Sequence, residues 1–107
     1  NLPDGPHLVF PVEGAGPVDP NAAVLMWEPV GPANGSPIIA YQVIVARKGS
    51  AFPAIPKIVL DVMLPATATQ VTIPAGFLQS GSEYEWEVLA IEAGGNQTLS
   101  TSRLQTQ

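Results

Sequence analysis

From Glu83 to Ala90 the chain alternates without a slip: Tyr84, Trp86, Val88 and Ala90 share one side, and Glu83, Glu85, Glu87 and Leu89 share the other. A period of two sends successive side chains to opposite faces of a β-strand, whereas a helix would group residues three and four apart. Bulky apolar groups on one side and carboxylates on most of the other describe a strand buried on one face. The segment Leu78 to Ala93 therefore predicts a turn that opens into a strand at the centre of a core. No stretch of the chain keeps a helical period for longer than a turn, and no internal repeat is present.

The remaining apolar runs are short and separated by turn residues. In order they are His7 to Phe10, closed by Pro11 as an edge strand would be, then Ala22 to Glu28, Ile38 to Arg47, Lys57 to Leu64, Gln70 to Ile73 and Thr98 to Thr106. Within them Ala23, Leu25 and Trp27 share a face, as do Ile39, Tyr41, Val43 and Val45, and Val71 with Ile73. Both faces of Ile38 to Arg47 are rather apolar, which suits a strand in the middle of a sheet. Between the runs lie Glu13 to Asn21, Val30 to Pro37 with its Asn34-Gly35 turn signal, Lys48 to Pro56, and Gly94 to Asn96. Residues 1–6 read as linker, and 7–107 as one domain. Seven strands punctuated in this way predict an all-β chain, a seven-stranded antiparallel β-sandwich.

Composition narrows the chemistry. Across 107 residues, 46% are hydrophobic, enough for one core, and there is no cysteine to staple it or to supply a thiolate or zinc ligand. Nine acidic side chains against four basic ones leave a net charge of −5, which repels a phosphate backbone, so no nucleic-acid partner is expected. No apolar run approaches the roughly 20 residues of a membrane-spanning helix, and no membrane insertion is expected. The start Asn-Leu-Pro-Asp-Gly-Pro, with neither Met nor a basic leader, reads as part of a longer protein.

Several residues together carry a family resemblance. Leu25 and Trp27 followed by Pro29 form an apolar-x-Trp-x-Pro pattern, Tyr41 and Val43 form Tyr-x-Val on the next strand, and Leu78, Gly81 and Tyr84 precede Val88 and Ala90. This order resembles the fibronectin type III family. An immunoglobulin domain would instead put its Trp on the third strand between two cysteines. The resemblance covers nearly the whole chain and implies an immunoglobulin-like sandwich of fibronectin type III topology. It further implies that Tyr84 bonds its hydroxyl back to the backbone, here with Ser80 where the family usually has Pro. The residues assigned to the structural core are Leu25, Trp27, Tyr41, Val43, Leu78, Tyr84, Trp86 and Val88. Burying each large apolar side chain is worth about 1.5 to 3 kcal/mol, so the fold itself is their expected task.

Candidates for chemistry fall short of a site. Glu83, Glu85 and Glu87 are successive on one strand face, about 6.5 to 7 Å apart, with no second ligand set, and are expected to face water. Arg47 and Lys48 are expected to lie near Glu83 and Glu85 across an antiparallel pair. His7 is the only histidine, the serines include no Gly-x-Ser-x-Gly elbow, and the glycines form no phosphate-binding loop, so neither a catalytic residue nor a cofactor or metal site is expected and the chain is not expected to be an enzyme.

What remains is surface. Gln42, Ile44, Ala46, Leu89 and Ile91 are expected to point outward, a more apolar outer face than a free monomer usually shows. With the loops at Asn34 and Asn96, the residues Gln42, Ile44, Leu89 and Ile91 make the candidate partner surface. Asn34-Gly-Ser and Asn96-Gln-Thr both fit the glycosylation acceptor pattern. No Arg-Gly-Asp or Trp-Ser-x-Trp-Ser run is present. The resemblance implies a non-enzymatic module of a larger secreted or cell-surface protein, a spacer or a unit of protein interaction and adhesion, its partner another protein or a neighbouring domain of the same chain. The alternative is an accessory module of an extracellular carbohydrate-active enzyme. Direct polysaccharide binding is the weaker version, because only Phe10, Phe52 and Phe77 are left as exposed rings.

Overall fold

A computed structural model describes residues 6–11, 16–29, 37–47, 57–95 and 97–107. Seven strands follow one another: β1 (Leu8–Phe10), β2 (Val24–Trp27), β3 (Ile38–Arg47), β4 (Lys57–Pro65), β5 (Gln70–Thr72), β6 (Glu83–Glu92) and β7 (Gln97–Gln105). They form two antiparallel sheets, β1-β2-β5 and β4-β3-β6-β7, and no helix occurs among the described residues. The long apolar strand β3 lies mid-sheet between β4 and β6, where both of its edges are paired.

The alternation that defines β6 becomes the packing of the sandwich. Tyr84, Trp86, Val88 and Ala90 are all buried, and beside them on β3 lie Tyr41, Val43 and Val45, equally buried. The register sets Tyr41 against Ala90, Val43 against Val88 and Val45 against Trp86. From the opposite sheet Leu8, Leu25, Trp27 and Ile73 close the core, with the Trp27 and Tyr41 rings tilted at 5.7 Å between centroids. The two indoles fare differently: Trp86 donates its Nε1–H to the Pro11 carbonyl at 3.2 Å, whereas the buried Nε1–H of Trp27 has no acceptor among the described residues. All eight core residues named from the sequence are buried.

The corner before β6 is built from backbone groups that the strands leave over. Gln79 N–H donates to the Tyr84 hydroxyl at 2.8 Å, the back-bond that the resemblance implies. Buried Thr106, just past β7, adds a second clasp: its Oγ1 accepts from Ser82 N–H at 2.9 Å and donates to the Gln79 carbonyl at 2.5 Å. Gly81 turns the chain with φ +63°, a left-handed conformation that costs a glycine little, and its N–H reaches the Gln107 carbonyl.

Two expectations are corrected. Ile39 is 55% exposed rather than inward, because the β3–β6 register shifts between Ile38 and Ala40; the bulge moves Ile38 onto the core and turns Ile39 to solvent. Pro6, read as the end of a linker, is buried. Arg47 stands across from Tyr84, between Glu83 and Glu85, so the end of β3 lies beside the start of β6 as expected, and Lys48 lies outside the described residues.

Candidate interaction surface

The outer face of the four-stranded sheet carries the residues that β3 and β6 do not bury. Cross-strand register arranges them in rows perpendicular to the strands. One row runs Met63, Gln42, Leu89, Leu99 across β4, β3, β6 and β7, and beside it runs Asp61, Ile44, Glu87, Thr101. On the other flank lie Pro65, Ala40, Ile91 and Gln97, uncharged, and beyond the acidic row Ala46, Glu85 and Arg103. Neighbouring strands lie about 4.8 Å apart, so each row is roughly 14 Å wide.

The first row is apolar at both ends and exposed there: Met63 is 57% and Leu99 52% accessible. Gln42, Ile44, Leu89 and Ile91 are half-buried on this face, so the four residues named from the sequence are brought together. Asn34 and Asn96 lie outside the described residues. Gln42 is held by its amide, which donates to Asp61 Oδ1 at 2.8 Å, so the one polar side chain in the apolar row is already engaged. The surface is therefore an apolar stripe with acidic residues along one flank.

Sequence reasoning missed Met63, Leu99, Asp61 and Arg103 here. Alternation within β4 and β7 could have found the first two, since Met63 and Leu99 stand at outward positions of their strands. Arg103 stands directly opposite Glu85, and only the β6–β7 register reveals that. Alternation along β6 also carries its inward face on to Glu92, a buried carboxyl not singled out in the sequence.

The other groups weighed from the sequence stay dispersed. His7 lies 3.4 Å from Glu28 with both side chains well exposed, a contact worth little in water. Glu83 and Glu85 are exposed and Glu87 half-buried, and among the described residues no three His, Cys, Asp or Glu side chains gather closely enough to hold a metal ion. Among the described residues no helix is long and apolar enough to cross a membrane. Trp27, Tyr41, Tyr84 and Trp86 are buried, Phe10 and Phe77 are exposed, and Phe52 is not among the described residues. On the opposite sheet Val9, Phe10 and Met26 are also exposed, Phe10 being paired with Met26.

Three strands against four, the Trp27–Tyr41 contact and the Tyr84 corner are features of one class of immunoglobulin-like module. A sequence model of the fibronectin type III domain matches residues 11–106, and the chain belongs to that family. Among solved structures, the fibronectin type III domain of the human collagen alpha-1(XX) chain superposes with TM-score 0.67 at 21% identity, over 99% of this chain and 88% of that one. The structure of a myokine gives 0.63 at 19% identity over 98% of both chains. A twitchin kinase region from C. elegans gives 0.55 at 24% identity, over 92% of this chain and 15% of that much longer one. No curated protein sequence matches the chain. At these identities the neighbours speak for the fold. Fibronectin type III domains are generally non-catalytic modules, commonly found within larger proteins.

Proposed function

We propose that this chain is a protein-interaction module of a larger secreted or cell-surface protein, and that it docks a partner protein or a neighbouring domain on the outer face of the four-stranded sheet. The observation that carries the reading is the row Met63, Gln42, Leu89, Leu99, an apolar stripe left open to solvent beside Asp61 and Glu87. Exposed apolar stripes rimmed by polar groups mark docking surfaces. The acidic flank and the net charge of −5 favour a partner whose apolar contact residues are accompanied by Lys or Arg.

The test is a selection of displayed random peptides against the folded chain, with binding sites mapped by amide chemical-shift changes. Peptides rich in apolar and basic residues are expected, shifting Gln42, Ile44 and Leu89. Met63→Glu should weaken them at least tenfold, about 1.4 kcal/mol. Peptides that map to the β1-β2-β5 sheet and bind Met63→Glu unchanged would remove the assignment.

A further inference from the structure

A two-sheet sandwich of this order ends on four edge strands, β1, β5, β4 and β7, and three of them are blunted. β1 and β5 have three residues each, and β1 is shifted by an irregularity against β2. β4 bulges against β3 between Val45 and Ala46, carries Asp61 near its middle and ends on Pro65. β7 is different: nine residues in unbroken register with β6, with no proline and, from Gln97 to Ser102, no charge. Natural sheets protect exposed edges with short strands, bulges, prolines and charges, and an edge left without them is a template for another strand.

The direction of its free groups follows from the bonds at its far end. Thr106 N–H donates to Ser82 on the β6 side, while Gln105 C=O and Gln107 N–H both bond to Val18 on the other side. Alternation then points the N–H and C=O of Gln97, Leu99, Thr101 and Arg103 away from β6. Among the described residues only Val18 pairs with that side of the strand, at Thr106, and so beyond these positions.

We propose that this edge pairs antiparallel with the β7 edge of a second copy of the chain, on a twofold axis through the Leu99 pair, joining two four-stranded sheets into one. In that register Leu99 meets Leu99 and Gln97 meets Thr101 twice, giving about six backbone hydrogen bonds from groups that have no strand partner among the described residues. The two exposed leucines cover each other. Their rows, each running Met63, Gln42, Leu89, Leu99, meet end to end, so the apolar stripe continues across the axis. No charged residue is opposed by another. The same operation on β4 about its middle would bring two Asp61 carboxylates together, which favours β7 as the self-pairing edge. Strand-to-strand contact alone buries less than the roughly 1,200 Å² of a stable interface, so the dimer is weak. Each copy carries −5, so added salt strengthens it by screening.

The experiment is sedimentation velocity on the chain up to about 1 mM, at low and at moderate salt, with amide exchange measured at both ends of the concentration range. A reversible dimer is expected, stronger at moderate salt, with exchange slowed at Gln97, Leu99 and Thr101. Leu99→Lys keeps an exposed side chain exposed and sets two ammonium groups on the axis, and should lower the association constant at least tenfold. Thr101→Pro removes an edge N–H without touching the β6 ladder and should do the same; should it unfold the chain, Leu99→Lys decides. Ile58→Lys, on the exposed face of β4, should leave the dimer unchanged. A chain monomeric throughout, a dimer indifferent to Leu99→Lys, or one lost only with Ile58→Lys would overturn the proposal. Peptide binding to the sheet face can succeed or fail independently of these outcomes.

Discussion

Replacing Tyr84 by Phe isolates one hydrogen bond. The ring is buried against the core and stays, while the hydroxyl that receives Gln79 N–H at 2.8 Å is removed. A net protein hydrogen bond is worth about 1 kcal/mol, and an unmatched donor costs more only where water cannot reach it. Gln79 lies in an exposed corner and its carbonyl is still held by Thr106, so the lower figure applies. The expected loss is therefore about 1 kcal/mol, or roughly 4 to 8 °C in melting temperature for a domain of this size. In urea the midpoint should fall by about 0.3 to 1 M with an unchanged slope. Trp27→Ala, which empties a site at the centre of the core, should cost about 3 to 5 kcal/mol in the same titration. Unfolding curves in which the Phe variant matches or exceeds the Ala variant would refute the assignment of Tyr84 to a corner bond and Trp27 to the core.

Two further substitutions test local geometry. Ile39→Lys should change stability by no more than about 0.5 kcal/mol, whereas Ile38→Lys should cost several times that, because the bulge puts Ile38 against the core and Ile39 in water; the opposite ranking in thermal melts would mean that β3 keeps strict alternation to its start. Gly81→Ala meets no atom within 4 Å of the added Cβ, so its cost should be backbone strain alone, about 1 to 2 kcal/mol, read from the same melts. A neutral result would place the corner outside the left-handed region.

The seven strands were legible because each is a local pattern. Alternation in β6, the apolar run of β3 and the prolines and glycines between runs depend on neighbours in sequence, and the strands lie where those patterns put them. The inward side of β6 was equally plain, since a period of two admits only two faces and only one of them carries tyrosine and tryptophan. The interaction surface was half legible. Gln42, Ile44, Leu89 and Ile91 follow from being opposite to buried residues on β3 and β6, but Met63 and Leu99 complete the stripe from strands that the sequence does not place beside them.

Sequence by itself thus determined the number and order of the strands, the eight core residues named from it, and the family to which the pattern belongs. Tertiary structure decided what depends on strand order and register. The bulge that exposes Ile39, Arg103 rather than Arg47 across from Glu85, and the long β7 edge, which among the described residues pairs only with Val18 near its end, all arise from pairings between residues distant along the chain. A shift of one residue in such a pairing exchanges the two faces of a strand, and no local pattern records it.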